Sequence, residues 1–196
     1  MFFKDMLGRE LAIAVGEEPA AGDVLLVFDE SLLPELGDEG YYLDIGDAIT
    51  ITAPTKIGLQ YGGTTITQIL YQDDAMRNVP KGKVRDYPAY EVRSQQLEVG
   101  RRYMDLGYVE EMAKYMAWFK MSELHMHINE NGGEYSASFI VESKLYPEIN
   151  RNNKDYMWTQ DEYRQFQKNV KEFGIDVVTE IDTRDTRRCL AMCAPT

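Results

Sequence analysis

Histidine and cysteine are scarce in this chain. Its 196 residues hold two of each, and both cysteines, Cys189 and Cys193, fall in the last eight positions. That count excludes a disulfide framework and a cysteine-rich zinc site. With only His125 and His127 available, it also excludes any mechanism that needs three or four imidazole ligands. Basic residues are short as well: 21 Lys and Arg against 33 Asp and Glu, a formal net charge of −12. Phosphate binding relies on clustered Lys and Arg, so this balance argues against a nucleic-acid partner. It equally disfavours docking on an anionic membrane. No run approaches the roughly 18 apolar residues of a spanning helix. Met1 to Glu10 is broken by Lys4, Asp5 and Arg9, which does not fit a signal peptide.

What is present suits a folded protein. Hydrophobic residues are 44% and charged residues 28%, close to globular averages. Residues 1–87 read as a small α+β domain. Asp23 to Phe28 is a short apolar run suited to a buried strand. Gly40 to Ile45 and Ala48 to Ala53 are rich in β-branched and aromatic residues, and Gly46-Asp47 between them favours a hairpin. A helix ends near Tyr71. Gly62 and Gly63 each lower helix propensity by about 1 kcal/mol relative to Ala, so its body is placed after them, with the glycines marking close packing on the sheet. Asn78 to Lys83 is a turn-rich connector, and Asp86-Tyr87-Pro88 marks a domain boundary.

The pattern changes after residue 88. Val92 to Val99 is a strand candidate. Met104 to Lys120 carries apolar residues at Val109, Met112, Ala113, Met116, Ala117 and Phe119, an amphipathic helix. Glu123 to Ile128 is a strand. Asn129 to Asn153 is a long loop with Gly132-Gly133 and a possible short strand over Ala137 to Val141. Thr159 with Glu162 three positions later forms a capping box. The helix it opens runs to Glu172 and stops at Gly174, a suitable C′ residue. Ile175 to Ile181 is another apolar strand. Alternating strands and helices imply parallel βαβ units.

Three features suggest chemistry. His125 and His127, at i and i+2, share one face of a strand, near the C-terminal end where parallel folds build their sites. They fit either two metal ligands or polar residues hydrogen-bonded to neighbours inside a barrel. Glu180 and Asp182 share a face in the same way, so one carboxylate can point into a site. Arg93, within an apolar strand, needs an acceptor for its permanent charge. An ion pair with Glu98 or a neighbouring strand would meet that need.

Together these segments resemble a known family. Tyr90-Glu91-Val92-Arg93-Ser94-Gln95-Gln96-Leu97-Glu98-Val99-Gly100-Arg101 resembles the first barrel strand of glycoside hydrolase family 20, the β-N-acetylhexosaminidases. Lys114 to His127 is similar to that family's first helix and second strand. Phe139-Ile140-Val141-Glu142-Ser143 resembles its Phe-Arg-Leu-Glu-Ser element, and Val177 to Thr183 its third strand. Ile49-Thr50-Ile51, Gly58, Tyr61-Gly62 and Thr65 to Gln68 resemble the small domain that precedes the barrel. The resemblance covers roughly residues 35–183. It implies a small α+β domain followed by an incomplete (β/α)8 TIM barrel, from residue 88 to 183. It also implies exo-hydrolysis of terminal β-linked N-acetylhexosamine on a glycan or glycoconjugate, with no organic or metal cofactor. The family's substrate-assisted retention departs from the two-carboxylate scheme. The acetamido oxygen attacks, an Asp orients it, and the adjacent Glu protonates the leaving oxygen. Arg93 matches the family Arg that bonds outer sugar hydroxyls, and Asp182 joins it as a candidate substrate-binding residue. Glu130 aligns with an Asp that supports the acid through a His. His125, His127 and Glu180 are structural residues near the site.

The chain also departs from the family. Ser94 stands for Gly, Glu98 and Glu130 for Asp, and Thr179 for Pro. The Asp-Glu pair belongs after a fourth strand, whereas the part from residue 88 falls far below the about 250 residues of a whole barrel. A chain of this kind is expected to be inactive, and its open sheet marginal, aggregation-prone or dependent on a partner. Two alternatives are a non-catalytic sugar-binding or interaction module that keeps Arg93, and a metal-dependent barrel hydrolase using His125 and His127. Where the family continues Pro-Gly-His, this chain reads Arg184-Asp185-Thr186-Arg187-Arg188. With codons CGG, GAC, ACN, CGN and CGN, one inserted C before CGG restores Pro-Gly-His. Residues 184–196 therefore read as an out-of-frame tail. Sequencing the coding DNA is expected to show CGG at Arg184 and an Asp-Glu strand in the shifted downstream frame. Any other Arg184 codon rules the shift out.

Overall fold

The computed structural model describes residues 2–8, 11–16, 18–130, 139–150 and 156–182. Gly132-Gly133, the start of the possible strand at Ala137, Thr183 and the tail 184–196 with both cysteines lie outside them. The chain divides into two compact units, Met1–Tyr90 and Glu91–Thr196.

In the first unit, helix α1 (Phe2–Leu7) precedes strand β1 (Val24–Phe28), a 3-10 turn over Glu30–Leu32 and the one-turn α2 (Leu33–Leu36). Strands β2 (Tyr41–Ile45) and β3 (Ile49–Ala53) then form the hairpin that Gly46-Asp47 favours. Helix α3 (Lys56–Tyr71) follows, then β4 (Gly82–Asp86), giving a mixed sheet of order β1-β3-β2-β4. Tyr41, Leu43, Ile45, Ile51, Ala53, Tyr61 and Ile66 form its buried cluster.

Two expectations need correction here. Helix α3 does not wait for the glycines: Thr55 caps its start by accepting from the Gly58 amide at 3.1 Å, and Gly62 and Gly63 lie inside it. Close packing explains only one of them. A Cβ on Gly62 would sit 2.3 Å from Ile51 Cγ2, whereas one on Gly63 would meet nothing within 4 Å. The second correction concerns the connector, which gives way to β4 at Gly82. Lys83 and Arg85 point their charge outward to Asp44 (2.7 Å) and Glu35 (3.1 Å), and Val84 alone supplies an apolar signal. Charged, short strands are typical of sheet edges, and they carry too little hydrophobic periodicity to be read from sequence.

In the second unit, β5 (Ser94–Glu98), β6 (Glu123–His127) and β7 (Asp176–Glu180) form a parallel sheet with β6 in the middle. Helix α4 (Leu106–Trp118) links β5 to β6, and α5 (Gln160–Glu172) links β6 to β7. The α5 start has both halves of the expected capping box. The two helices end alike. After α5, Ile175 and Gly174 amides reach the Val170 and Lys171 carbonyls, with Gly174 at φ 80°. After α4, Met121 and Lys120 amides reach Met116 and Ala117, with Lys120 at φ 54°. Both are Schellman motifs, the second formed without glycine. Leu124 and Met126 on one face of β6 are fully buried, as are Val109, Ala113 and Val170 of the helices. Trp158 and Tyr163 stack at 5.7 Å in the same core. Among the described residues of the possible short strand, Phe139 and Val141 make isolated bridges to Asn129 and Trp158.

The two glycines of α3 give a paired test. Gly63→Ala is expected to raise stability by up to about 1 kcal/mol through helix propensity. Gly62→Ala is expected to lower it by about 1–3 kcal/mol, because overpacking against Ile51 outweighs that gain. Urea denaturation of both variants checks the opposite signs.

Candidate functional site on the barrel rim

The strand register sets the site. Glu98, His127 and Glu180 are direct partners across the three strands, and Gln96, His125 and Val178 form the row before them. Side chains alternate along a strand, so both rows lie on the face opposite buried Leu124 and Met126. Ser94, Glu123 and Asp176 form a third row on that face, and over the three rows only Val178 is apolar.

Each histidine has its own carboxylate. His125 Nε2 lies 2.9 Å from Glu180 Oε2, which also accepts from Gln96 Nε2 at 3.2 Å. His127 Nδ1 lies 2.5 Å from Glu98 Oε2. The other Glu98 oxygen accepts from the amides of Gly100 (3.0 Å) and Arg101 (3.3 Å), so this carboxylate is held at both ends. Beyond the strands, Arg101 Nε donates to Glu130 Oε2 at 2.7 Å. Asn129, buried at 3% exposure, donates to the Asp182 carbonyl at 2.7 Å and accepts from its amide at 2.8 Å. This amide clamp ties the end of β6 to the end of β7.

Of the residues singled out from sequence, His125, His127, Glu180, Glu130 and Asp182 therefore gather at the C-terminal ends of the strands. Arg93 does not. It sits just before β5 and its amide bonds Ser122 Oγ at 2.9 Å. Its Nε donates to the Lys120 carbonyl at 2.7 Å and its Nη1 to Glu91 at 3.0 Å. Five strand residues separate it from the rim, about 16 Å at the usual rise. Arg93 thus stands one residue before β5 rather than inside it, and of the partners considered for it, Glu98 or a neighbouring strand, Glu98 is engaged elsewhere. Its guanidinium satisfies the left-handed turn after α4, while Glu98 serves His127 and the turn after β5. Sequence reading passed over Glu98 as an anchor, Arg101 and Asn129. Their roles depend on which strands are neighbours, and no local motif carries that. Among the described residues, no group of three or more His, Cys, Asp or Glu side chains is spaced to hold a metal ion.

The sequence now finds its relatives. Residues 2–87 match the profile of glycosyl hydrolase family 20, domain 2, and residues 90–184 match that of the family's catalytic domain. The chain belongs to glycosyl hydrolase family 20. It is 28% identical to a lacto-N-biosidase of Bifidobacterium bifidum, over 82% of this chain and 13% of that protein. It is 26% identical to a beta-hexosaminidase of Porphyromonas gingivalis, over 88% of this chain and 24% of the relative. The fold superposes on Streptomyces plicatus N-acetyl-beta-hexosaminidase in complex with Thio-NAglucal. That match has a TM-score of 0.73 and 25% identity, covering 85% of this chain and 35% of the other. Flavobacterium johnsoniae chitobiase gives a TM-score of 0.70 at 28% identity, over 80% of this chain and 23% of the other. The chain thus spans at most about a quarter of these curated relatives and about a third of the Streptomyces enzyme. Its architecture is the family's small α+β domain followed by three strands of the TIM barrel, with the rim described above at the C-terminal ends of those strands.

Electrostatics at this rim favour a charged imidazole. Burial disfavours charge on His127, but the Glu98 hydrogen bond and the charges of Glu98, Glu180 and Glu130 outweigh it, so its pKa is raised above 6.5. A raised folded-state pKa contributes stability that is complete below the unfolded value, about 6.5, and is lost as pH rises through the folded value. Glu98→Gln is expected to lower the His127 midpoint and flatten this loss. Imidazole NMR titration between about pH 5 and 9, with denaturation at the same pH values, checks both. A midpoint that stays put in the variant contradicts the assignment.

Proposed function

We propose that this chain is the portion of a β-N-acetylhexosaminidase that builds the N-terminal domain and the first three barrel strands. In this reading the whole protein removes terminal β-linked N-acetylhexosamine from glycans or glycoconjugates. The observation that carries it is the match of both family domains, in order, across residues 2–184. The rim supports it. A sugar ring needs oriented acceptors and donors, and the strand ends offer carboxylates and imidazoles already held in place by hydrogen bonds.

The chemistry follows the family's substrate-assisted retention. The acetamido oxygen attacks the anomeric carbon, an Asp orients the acetamido group, and a Glu protonates the leaving oxygen. Both carboxylates belong to the wall after the third strand, so no residue of β5, β6 or β7 is assigned either role. The contribution of residues 88–182 is the supporting wall, with Glu130 as its carboxylate nearest that role. The 196-residue chain by itself is inactive in this reading.

Assays with p-nitrophenyl N-acetyl-β-glucosaminide test it in two arms. A protein comprising this segment and a complete barrel is expected to release nitrophenol, and to leave the corresponding glucoside without the acetamido group intact. The 196-residue chain is expected to release none. Equal turnover of both substrates would sink substrate assistance, and turnover by the short chain would sink its assignment as supporting wall.

A further inference from the structure

The turn after β5 connects two carboxylates that do not bond each other directly. Glu98 Oε1 accepts from the Gly100 and Arg101 amides. Gly100 is seated against β6: its amide donates to the His127 carbonyl at 3.0 Å, and a Cβ there would lie 2.7 Å from the Asn129 carbonyl carbon. The backbone leading into Arg101 is therefore held twice, by the Glu98 carboxylate on its amide and by the close seat of Gly100 just before it. From that fixed point its Nε reaches Glu130 Oε2 at 2.7 Å. The two partners differ in exposure. The Arg101 side chain is 71% exposed, and that of Glu130 only 18%. An ordinary surface pair gains little because two long side chains must be ordered. Here Glu130 is mostly enclosed, so the ordering cost falls mainly on the Arg101 side chain.

We propose that Arg101 is a positioning residue that holds the Glu130 carboxylate in one orientation at the rim, and that Glu98 acts on Glu130 through it. The proposal rests on the reading of Glu130 as a supporting carboxylate of a glycosidase. It adds the residues that set its direction. Charge supports the geometry, since Glu130 and Glu98 both act on Arg101 to favour its charged form.

Three-bond side-chain couplings of Glu130, measured by NMR on the isotope-labelled 196-residue chain, test the proposal. One dominant χ1 rotamer is expected in the parent. Arg101→Gln, at an exposed position, is expected to lower the population of that rotamer and begin to average Glu130 among the staggered wells. Arg101→Lys keeps the charge and is expected to restore part of the preference. Glu98→Gln is expected to average Glu130 as well. Parent-like couplings in Arg101→Gln overturn the proposal. Averaging in Arg101→Gln with parent-like couplings in Glu98→Gln overturns the part assigned to Glu98. A Glu98 variant that fails to fold leaves the Arg101 arm decisive. The couplings do not depend on turnover, so a whole protein without hexosaminidase activity would remove the functional reading and leave this result standing.

Discussion

The rim depends on the Glu98 carboxylate. One of its oxygens holds the backbone amides that turn the chain away from β5, and the other holds the imidazole at the end of β6. A carboxylate is well suited to this, because it accepts several hydrogen bonds at once and gains strength from its charge. The neighbouring pairs follow the same plan. His125 leans on Glu180, and Asn129 closes the gap to Asp182 with both ends of its amide. Each contact joins two different strands or the turns that leave them. The rim is therefore a set of ties across the sheet.

That arrangement explains which parts could be read from the sequence. The start of α5 was legible because a capping box lies within four residues, and its end because Gly174 adopts the left-handed turn that glycine permits. Strand β7 is legible through the apolar run Ile175 to Ile181, and β6 with its His125–His127 pair through alternation, whereas β5 has Leu97 as its one apolar residue. The ties were not. Glu98 and His127 are 29 positions apart, and Asn129 and Asp182 are 53 apart, so nothing local announces them. Strand β4 was lost for the opposite reason: an edge strand hides in charge. In α3 the local signal misled. Propensity counted two glycines against the helix, while packing against Ile51 requires one of them and the helix tolerates the other.

Arg93 shows what a motif residue also does for the fold. Beside the substrate role that the resemblance suggests, its guanidinium donates to backbone carbonyls at the start of β5. A left-handed residue such as Lys120 leaves a helix end whose carbonyls need donors, and a fork of N–H groups meets that need. The role a motif position plays depends on what surrounds it.

The same distinction bears on an open barrel wall. An uncovered sheet face is a liability when it is apolar, because exposing apolar area costs about 25 cal/mol per Å². On this face Val178 is the one apolar member of the three rows, and the rest are residues that water solvates well. The apolar face, with Leu124 and Met126, is already covered. Among the described strands, β5 and β7 each pair in this sheet with β6 alone. Unpaired N–H and C=O groups recruit further strands. The physical demand of this wall is for neighbours that supply hydrogen bonds along its edges. A closed barrel of parallel strands meets that demand, and the polar inner face then becomes the lining of a site.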